Sequence, residues 1–275
     1  MHPDSVSDPL ALTPVEQKGD LWVKRDDKFT IAGVQGGKVR TCWHLSQGAT
    51  GLITAGSRMS PQVNIVAHIA KRLGVPCRVH VPQGELSPEV VAARNAGATV
   101  MQHKAGYNNV IVARAKEDAK NTGWREIPFG MDCQEAVQQT RRQVQNIPDG
   151  VKRIVMPVGS SMSLSGVLHG LLDCNRDIPV LGVCVGAEPR KRLHTYAPES
   201  GTLLENGSAK DWVDMVDLVQ STYDYHDPFK QPVWRGITLD PIYEAKCIPY
   251  LEPGDLLWVV GIRQTFAQPD VAWAG

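Results

Sequence analysis

The first feature that could do chemistry is a lysine that follows two glycines, Lys38 in the stretch GVQGGKVR. Glycines let a flat ligand approach the backbone closely, and the lysine adds an amine that can act as a nucleophile. A nucleotide-binding phosphate loop, G-x-x-x-x-G-K-[ST], would need a glycine at position 32 and a hydroxyl at position 39, where the chain has Ala32 and Val39. The spacing therefore does not fit that motif and leaves the role of the amine open.

A second candidate is the serine-rich stretch from Gly159 to Gly166, GSSMSLSG, which lies between a strand-like run and a helix-like run. Backbone N–H groups and hydroxyls at the start of a helix form a cup for a phosphate group. Taken alone, such a turn is more often an ordinary helix cap. Because the stretch holds no lysine, it suits a small phosphate monoester better than a triphosphate with magnesium.

A lysine on glycine-rich backbone and a separate phosphate cup together suggest pyridoxal phosphate as the cofactor. Its aldehyde needs an unprotonated amine for an imine bond, and its phosphate needs a fixed site elsewhere. A free lysine has a pKa of about 10.4, so the site must lower the pKa of Lys38 through burial or positive neighbours. No metal is expected in this chemistry.

Four motifs in the chain occur in an order that resembles a known family. They are VKRDD with GGKVR, GLITAG with Ser60-Pro61-Gln62, GSSMSLSG and LDPIYEAK, and they span roughly residues 12 to 265. Together they resemble the fold type II pyridoxal-phosphate enzymes, and most closely the branch that contains 1-aminocyclopropane-1-carboxylate deaminase and D-cysteine desulfhydrase. The resemblance implies two α/β domains of the tryptophan synthase β type, with the cofactor in the cleft between them.

The resemblance also assigns roles to single residues. Lys38 matches the lysine that forms the Schiff base, and Ser60 and Tyr243 match side chains that face the substrate. Glu244 matches the carboxylate that faces the pyridine nitrogen, where a negative charge keeps the nitrogen protonated and the ring a strong electron sink. The phosphate loop is matched by Gly159, Ser160, Ser161, Met162 and Ser163, with Ser161 and Met162 at positions where the family has glycines.

Two of these residues have simpler interpretations that stay open. Ser60 directly precedes Pro61 and is also a good N-cap for a helix. Glu244 follows Asp240-Pro241 and could open a surface helix.

One position departs from the family pattern beside the cofactor. Where the family has an asparagine that binds the phenolic oxygen of the cofactor, this chain has Pro61, so another group must make that contact. Ser57, Arg58, Gln62 and Asn64 are the candidates, and Arg58 could instead hold a substrate carboxylate. We predict Ser57, Arg58 and Gln62 as the substrate-binding residues. The chain is also shorter than typical deaminases between about residues 185 and 240, and GIRQ follows DLLWVV where the family has a glycine-rich turn. Taken together, the departures touch the substrate side more than the cofactor side, so the substrate is harder to predict than the cofactor.

The order of elements supports an α/β fold. From residue 51, strand-like runs such as GLITAG and CRVHVP alternate with helix-like runs, the first of which has Pro61 at its start and Gly74 at its stop. A second block begins at RIVMPV and ends at DLLWVV. Such alternation favours parallel sheets covered by helices. We predict a large domain of residues 1–42 and 141–275 and a small inserted domain of residues 43–140.

Composition argues against several classes of partner. The 29 basic and 29 acidic residues cancel, which gives no broad positive field for nucleic acid or an anionic membrane. No apolar run is long enough to span a bilayer, and no secretory signal is apparent at the N-terminus. The six cysteines are scattered, without a metal-like cluster. These features predict a cytoplasmic protein with a small-molecule amino-acid substrate, and the family resemblance implies a homodimer.

The resemblance implies an enzyme that acts on an amino acid or an amino-acid-like compound through an external aldimine and a carbanion. Deamination by elimination, with release of ammonia and a keto acid, is the leading hypothesis. A decarboxylase or replacement enzyme for a bulkier amino-acid adduct is a second hypothesis, because pocket residues decide which bond breaks. A non-catalytic cofactor-binding protein, to which Pro61 and Met162 point, and a nucleotide-binding protein stay open as well.

Overall fold

The computed structural model of the 275-residue chain describes residues 8–9, 11–104, 108–186, 189–199, 202–203 and 209–263. Within these residues the chain forms two compact units. The first contains Thr30–Asp132 and Arg263, and the second contains residues 11–29 and Cys133–Ile262.

Strands and helices alternate along most of the chain. The strands are β1 (Val15–Lys18), β2 (Leu21–Arg25), β3 (Thr30–Ile31), β4 (Val34–Gln35), β5 (Leu52–Ala55), β6 (Cys77–Pro82), β7 (Thr99–His103), β8 (Arg125–Ile127), β9 (Arg153–Val158), β10 (Val180–Cys184), β11 (Thr202–Leu203), β12 (Ala209–Lys210), β13 (Val216–Gln220), β14 (Val233–Trp234), β15 (Ile237–Thr238) and β16 (Asp255–Val259). The α-helices are α1 (Gly37–Ser46), α2 (Pro61–Leu73), α3 (Pro88–Asn95), α4 (Asn108–Thr122), α5 (Gln134–Arg142), α6 (Met162–Asp173), α7 (Arg190–Tyr196) and α8 (Trp212–Met215). Short 3-10 helices cover Asp26–Lys28, Phe129–Met131, Gln143–Asn146 and Glu244–Tyr250.

The first unit is built on a four-stranded parallel sheet in the order β7-β6-β5-β8. β5 is buried along its whole length, as expected for a strand inside a sheet with both faces covered. α2 begins at Pro61 behind the N-cap Ser60 and stops at Gly74, whose φ of 69° gives the left-handed turn that ends many helices. The start and stop of this helix agree with the prediction from sequence.

Helix α1, which carries Lys38, belongs to the first unit because it packs against α2 and β8. The division proposed from sequence grouped residues 1–42 with the larger domain. The observed boundary lies earlier in the chain, between Phe29 and Thr30.

The second unit is built on a six-stranded sheet in the order β1-β2-β16-β9-β10-β13. β1 runs antiparallel to β2 at one edge, and the other neighbouring pairs are parallel. All five residues of β16 are buried, and its Trp258 belongs to the hydrophobic core. The α/β class predicted from sequence is confirmed in both units. Every helix in the described part of the chain is too short or too polar to cross a membrane.

Two glycines fix helix α6 against α5 in the second unit. A β-carbon at Gly166 would lie 2.5 Å from the β-carbon of Thr140, and one at Gly170 would lie 2.4 Å from the carbonyl oxygen of Arg141. Helices approach this closely only where one of them has no side chain. The packing sets the position of the N-terminus of α6, where the serine-rich turn begins the helix.

Candidate active site

Lys38 lies at the second position of α1 and is half-buried. Gly36 precedes the helix with φ of 107° and ψ of 172°, a conformation that residues with a β-carbon rarely adopt. The Val39 N–H donates to the Gly36 carbonyl at 3.0 Å and closes the first turn. The glycine is therefore required for the chain to enter α1 at this point, and the helix fixes the base of the Lys38 side chain.

The loop from Ser57 to Ser60 follows β5 and leads into α2. The Ser60 N–H donates to the Ser57 carbonyl at 3.0 Å, and the Ser60 hydroxyl oxygen accepts from the Gln62 N–H at 3.3 Å. Ser60 is thus the N-cap of α2, as the simpler interpretation of its sequence position predicted. In this cap the Ser60 oxygen accepts, and the bond does not use the hydroxyl hydrogen. Ser60 can therefore cap α2 and also face the substrate. The assignment of Ser57 to substrate binding stays a prediction.

Two arginines hold the same loop. The Arg58 guanidinium donates to the Glu85 carbonyl at 3.0 Å, and the Arg58 carbonyl accepts from the Ser87 hydroxyl. Arg263 is buried and donates to the Met59 carbonyl at 2.6 Å. These contacts bind the backbone that leads to Ser60. The assignment of Arg58 to substrate binding stays a prediction.

Gln62 is buried, and its side-chain amide is engaged inside the first unit. Its Nε2 donates to the Thr54 hydroxyl at 2.9 Å and to the Pro128 carbonyl at 2.7 Å, and its Oε1 accepts from the Gly130 N–H at 2.9 Å. Both amide hydrogens and the carbonyl oxygen therefore have protein partners. These bonds favour a structural role for Gln62, and its assignment to substrate binding stays a prediction that its contacts do not support.

The serine-rich stretch forms the turn between β9 and α6. Gly159 and Ser160 follow β9 directly, Ser161 is the N-cap, and the helix begins at Met162. The first N–H groups of a helix have no partner within it, and with the positive end of the helix dipole they favour an anion. Because α6 has 12 residues, it carries a full dipole at this turn. The turn offers the strand-to-helix context that a phosphate cup requires.

Ser161 adopts a left-handed conformation at the centre of this turn. Its φ is 68° and its ψ is −5°, and its hydroxyl lies 3.4 Å from the Pro189 carbonyl that accepts from it. A residue with a β-carbon loses roughly 1 kcal/mol in this conformation, which glycine adopts freely. The serine therefore occupies a backbone position that suits the glycine expected there from the family pattern.

Tyr243 lies beside the serine-rich turn. A β-carbon at Gly159 would lie 3.1 Å from Cε1 of Tyr243. The carboxylate of Asp240 accepts from the N–H groups of Ile242 at 2.9 Å and Tyr243 at 3.2 Å, which fixes the turn that carries the tyrosine. The second unit thus brings together the serine-rich turn and the tyrosine that the sequence motifs indicated.

Glu244 directly follows Tyr243 in the chain and is buried. Its Oε1 accepts from the N–H groups of Val260 at 3.0 Å and Gly261 at 3.3 Å. Within the described residues, its Oε2 is buried without a hydrogen-bond partner. Burial, and secondarily the nearby charge of Asp240, raise the pKa of Glu244 well above its ordinary value. Glu244 begins the 3-10 helix Glu244–Tyr250, but its burial shows that the interpretation as the start of a surface helix is wrong.

Sequence reasoning missed Tyr225, which contacts Tyr243. The two hydroxyl oxygens lie 3.3 Å apart, and the rings meet edge to face with centroids 6.0 Å apart. Tyr225 belongs to residues 221–232, which form neither helix nor strand. The signal that could have marked this segment is its aromatic cluster, YDYHDPF, in a stretch with no hydrophobic periodicity.

The amino-acid sequence matches a family of cofactor enzymes. Residues 10–229 fit the family model of the pyridoxal-phosphate dependent enzymes. The chain belongs to this family. Its cofactor is pyridoxal phosphate, and the predicted membership of the fold type II pyridoxal-phosphate enzymes is confirmed.

Known members of the pyridoxal-phosphate dependent enzyme family resemble the chain over most of its length. A 1-aminocyclopropane-1-carboxylate deaminase of Burkholderia cenocepacia is 23% identical over 270 residues, which cover 83% of this chain and 79% of the relative. An L-threonine ammonia-lyase of Geobacter sulfurreducens is 26% identical over 159 residues, which cover 57% of this chain and 38% of the relative.

Solved structures of related pyridoxal-phosphate enzymes share the fold. An ACC deaminase homologue matches with a TM-score of 0.75 at 22% identity, covering 95% of this chain and 93% of that chain. Threonine deaminase isoform 2 from Solanum lycopersicum matches with a TM-score of 0.64 at 16% identity, covering 92% of this chain and 84% of that chain.

The polar groups of the second unit fit pyridoxal phosphate. A buried carboxyl oxygen that lacks a partner, Oε2 of Glu244, suits a ring nitrogen that can share a proton with it. The turn at the start of α6 suits the phosphate. Lys38 lies in the first unit, on a helix that packs against the helix capped by Ser60.

Proposed function

We propose that this enzyme removes the amino group of a small amino acid or amino-acid-like compound and releases ammonia and a keto acid. The observation that carries the proposal is the buried Glu244 carboxyl beside Tyr243, with Oε2 lacking a partner among the described residues. The names of the relatives support it, because they are a deaminase and an ammonia-lyase. Pyridoxal phosphate, when bound, supplies an electron-poor ring that accepts the electron pair left at the substrate α-carbon.

Lys38 is proposed as the residue that binds the cofactor aldehyde through Nζ. The same amine, released by the substrate amine, would then take or return a proton at the substrate α-carbon. Gly36, the N-cap of α1, supports this role because its conformation lets the chain enter the helix two residues before the lysine.

The turn from Gly159 to Ser163 is proposed to hold the phosphate. Its backbone N–H groups and the dipole of α6 provide positive potential without a lysine. Orientation of the cofactor then depends on this turn at one end and on Glu244 at the ring nitrogen.

Glu244 is proposed to control the charge of the ring nitrogen. The N–H groups of Val260 and Gly261 donate to Oε1, and burial raises the pKa of Glu244 well above its ordinary value, so Oε2 is the oxygen that would share a proton with the ring nitrogen. Glu244 would stabilise a protonated ring nitrogen, because its carboxylate would then lie next to a cation and burial strengthens that attraction. Glu244 therefore favours chemistry in which negative charge develops at the α-carbon.

Ser60 and Tyr243 are proposed to move protons on the substrate. The Ser60 oxygen accepts from the Gln62 N–H, and this capping bond does not use the hydroxyl hydrogen, which could be donated to the substrate. The Tyr243 hydroxyl has the Tyr225 hydroxyl 3.3 Å away as a hydrogen-bonding neighbour. A homodimer and a cytoplasmic location stay predictions from the sequence.

The experiment is an assay of the purified holoenzyme with 1-aminocyclopropane-1-carboxylate, D-cysteine and L-threonine. We expect ammonia and a keto acid in equal amounts from at least one of them, and none from a Lys38→Ala variant. Release of carbon dioxide without ammonia would instead indicate a decarboxylase. Bound cofactor with no turnover on a wider amino-acid panel would support a non-catalytic binding protein.

A further inference from the structure

The second unit contains a buried lysine that the proposed chemistry does not use. Lys246 is 0% exposed and lies on the 3-10 helix Glu244–Tyr250. Its Nζ donates to the carbonyl of Asp224 at 2.6 Å and is 3.5 Å from the carbonyl of Tyr225. Burial of an ammonium group is unfavourable unless hydrogen bonds replace its water, and a bond from a charged donor is stronger than a neutral one.

The backbone that Lys246 holds has little regular structure of its own. Residues 221–232 form neither helix nor strand. The Asp224 carbonyl also accepts from the Asp227 N–H at 3.1 Å, and the Phe229 N–H donates to the Pro241 carbonyl at 2.8 Å. The two ends of the segment are tied by further bonds, from the Ser221 N–H to the Cys184 carbonyl at 2.9 Å and from the Leu239 N–H to the Pro232 carbonyl at 2.8 Å. The bond from Lys246 acts between these ends, on the part of the segment that carries Tyr225.

This segment presents Tyr225 to the proposed active site. The Tyr225 hydroxyl lies 3.3 Å from the Tyr243 hydroxyl, and the rings meet edge to face at an interplanar angle of 78°. Tyr243 in turn packs against Gly159 of the serine-rich turn. A series of direct contacts therefore leads from the buried ammonium to the hydroxyl that is proposed to face the substrate.

We infer that Lys246 is a positioning residue for the reaction. By holding the Asp224 and Tyr225 carbonyls, it keeps the Tyr225 hydroxyl against that of Tyr243 and so sets the direction of the Tyr243 O–H bond. The inference rests on the proposed function for the role of Tyr243. The effect of Lys246 on the backbone of residues 221–232 does not depend on the proposed function.

Hydrogen–deuterium exchange of the full-length holoenzyme tests whether Lys246 orders the backbone of residues 221–232. In Lys246→Met we expect exchange at the Asp227 and Phe229 amides to be roughly tenfold faster than in the wild-type protein. Lys24→Met is the matched control, because Lys24 is also 0% exposed in the second unit and donates to the Thr13 carbonyl at 2.9 Å. It should leave exchange in residues 221–232 unchanged. Unchanged exchange in Lys246→Met, or equal acceleration in the control, would overturn the inference.

A double-mutant cycle tests whether Lys246 acts through Tyr225. We expect Lys246→Met and Tyr225→Phe each to lower kcat roughly tenfold, and the double variant to lose no more than either alone. Losses that multiply would overturn the inference. Should Lys246→Met not fold, Lys246→Gln, which is shorter and uncharged, is judged by the same criteria. Absence of turnover in the wild-type protein contradicts the proposed function, whereas the exchange result still decides the role of Lys246.

Discussion

The ring of Tyr243 lies directly against Gly159. A β-carbon at position 159 would lie 3.1 Å from Cε1 and 3.8 Å from the hydroxyl oxygen of this tyrosine. The position of the ring therefore depends on the absence of a side chain on the serine-rich turn. A proposed phosphate-binding element and a proposed substrate-facing residue, far apart in sequence, are coupled inside one unit.

Gly159→Ala tests this coupling. The new methyl group must displace the Tyr243 ring by a few tenths of an ångström, and we expect kcat to fall roughly tenfold because proton transfer depends on such distances. Gly150→Ala is the control, because a β-carbon there would have its nearest neighbour at 4.0 Å. Equal kcat values for the two variants would contradict the coupling.

Substitutions at Ser60 separate its capping role from its proposed chemical role. Ser60→Ala should lower the free energy of unfolding by about 1 kcal/mol, since the cap on Gln62 is lost. Ser60→Asn keeps a capping oxygen and should leave stability nearly unchanged, yet lower kcat roughly a hundredfold because an amide does not transfer the proton. Urea denaturation and turnover measure the two effects. Full activity in Ser60→Asn would show that Ser60 only caps the helix and takes no part in proton transfer.

Glu244 should make the stability of the cofactor-free protein depend on pH. Its folded pKa is raised well above the ordinary value, whereas the unfolded chain has a pKa of about 4.3. Above about pH 4.3 the folded state therefore binds more protons than the unfolded state, and stability falls as the pH rises, by at most about 1.4 kcal/mol per pH unit.

Glu244→Gln, which cannot ionise, should lack this slope. The measurement is the free energy of unfolding in urea between about pH 5 and pH 8. Glu252→Gln, at an exposed carboxylate, is the control and should keep the wild-type slope. Parallel profiles for the wild-type protein and Glu244→Gln would show that the buried carboxyl does not hold its proton.

Ser161 gives a prediction about backbone strain. Ser161→Gly and Ser161→Ala both remove the hydroxyl that donates to Pro189, but only glycine relieves the left-handed conformation with φ of 68°. We expect the glycine variant to be more stable than the alanine variant by about 1 kcal/mol in urea denaturation. Equal stabilities would mean that the turn changes conformation in the alanine variant.

Elements with local signals could be predicted from the sequence. Pro61 and Gly74 define α2, and Ser87 caps α3 by accepting from the Val90 N–H, as residue order alone indicates. The buried strands β9 and β16 follow from their apolar runs, and the serine-rich turn lies between β9 and α6 where the sequence predicted it.

Features that depend on distant partners could not be predicted. Gln62 resembles a ligand in sequence, yet its amide binds Pro128, 66 residues away. Tyr225 and Lys246 lie 21 residues apart, and only the folded backbone joins them. No periodic pattern marks such contacts, because they arise from tertiary packing rather than from local propensity.

The covalent bond between Lys38 and the cofactor is the central claim, and borohydride reduction followed by peptide mapping tests it most directly. Reduction of the holoenzyme should leave a phosphopyridoxyl group on the peptide that contains Lys38, and the Lys38→Ala variant should retain none at that position. Recovery of an unmodified Lys38 peptide from cofactor-saturated protein, or of the label on another lysine, would contradict the account.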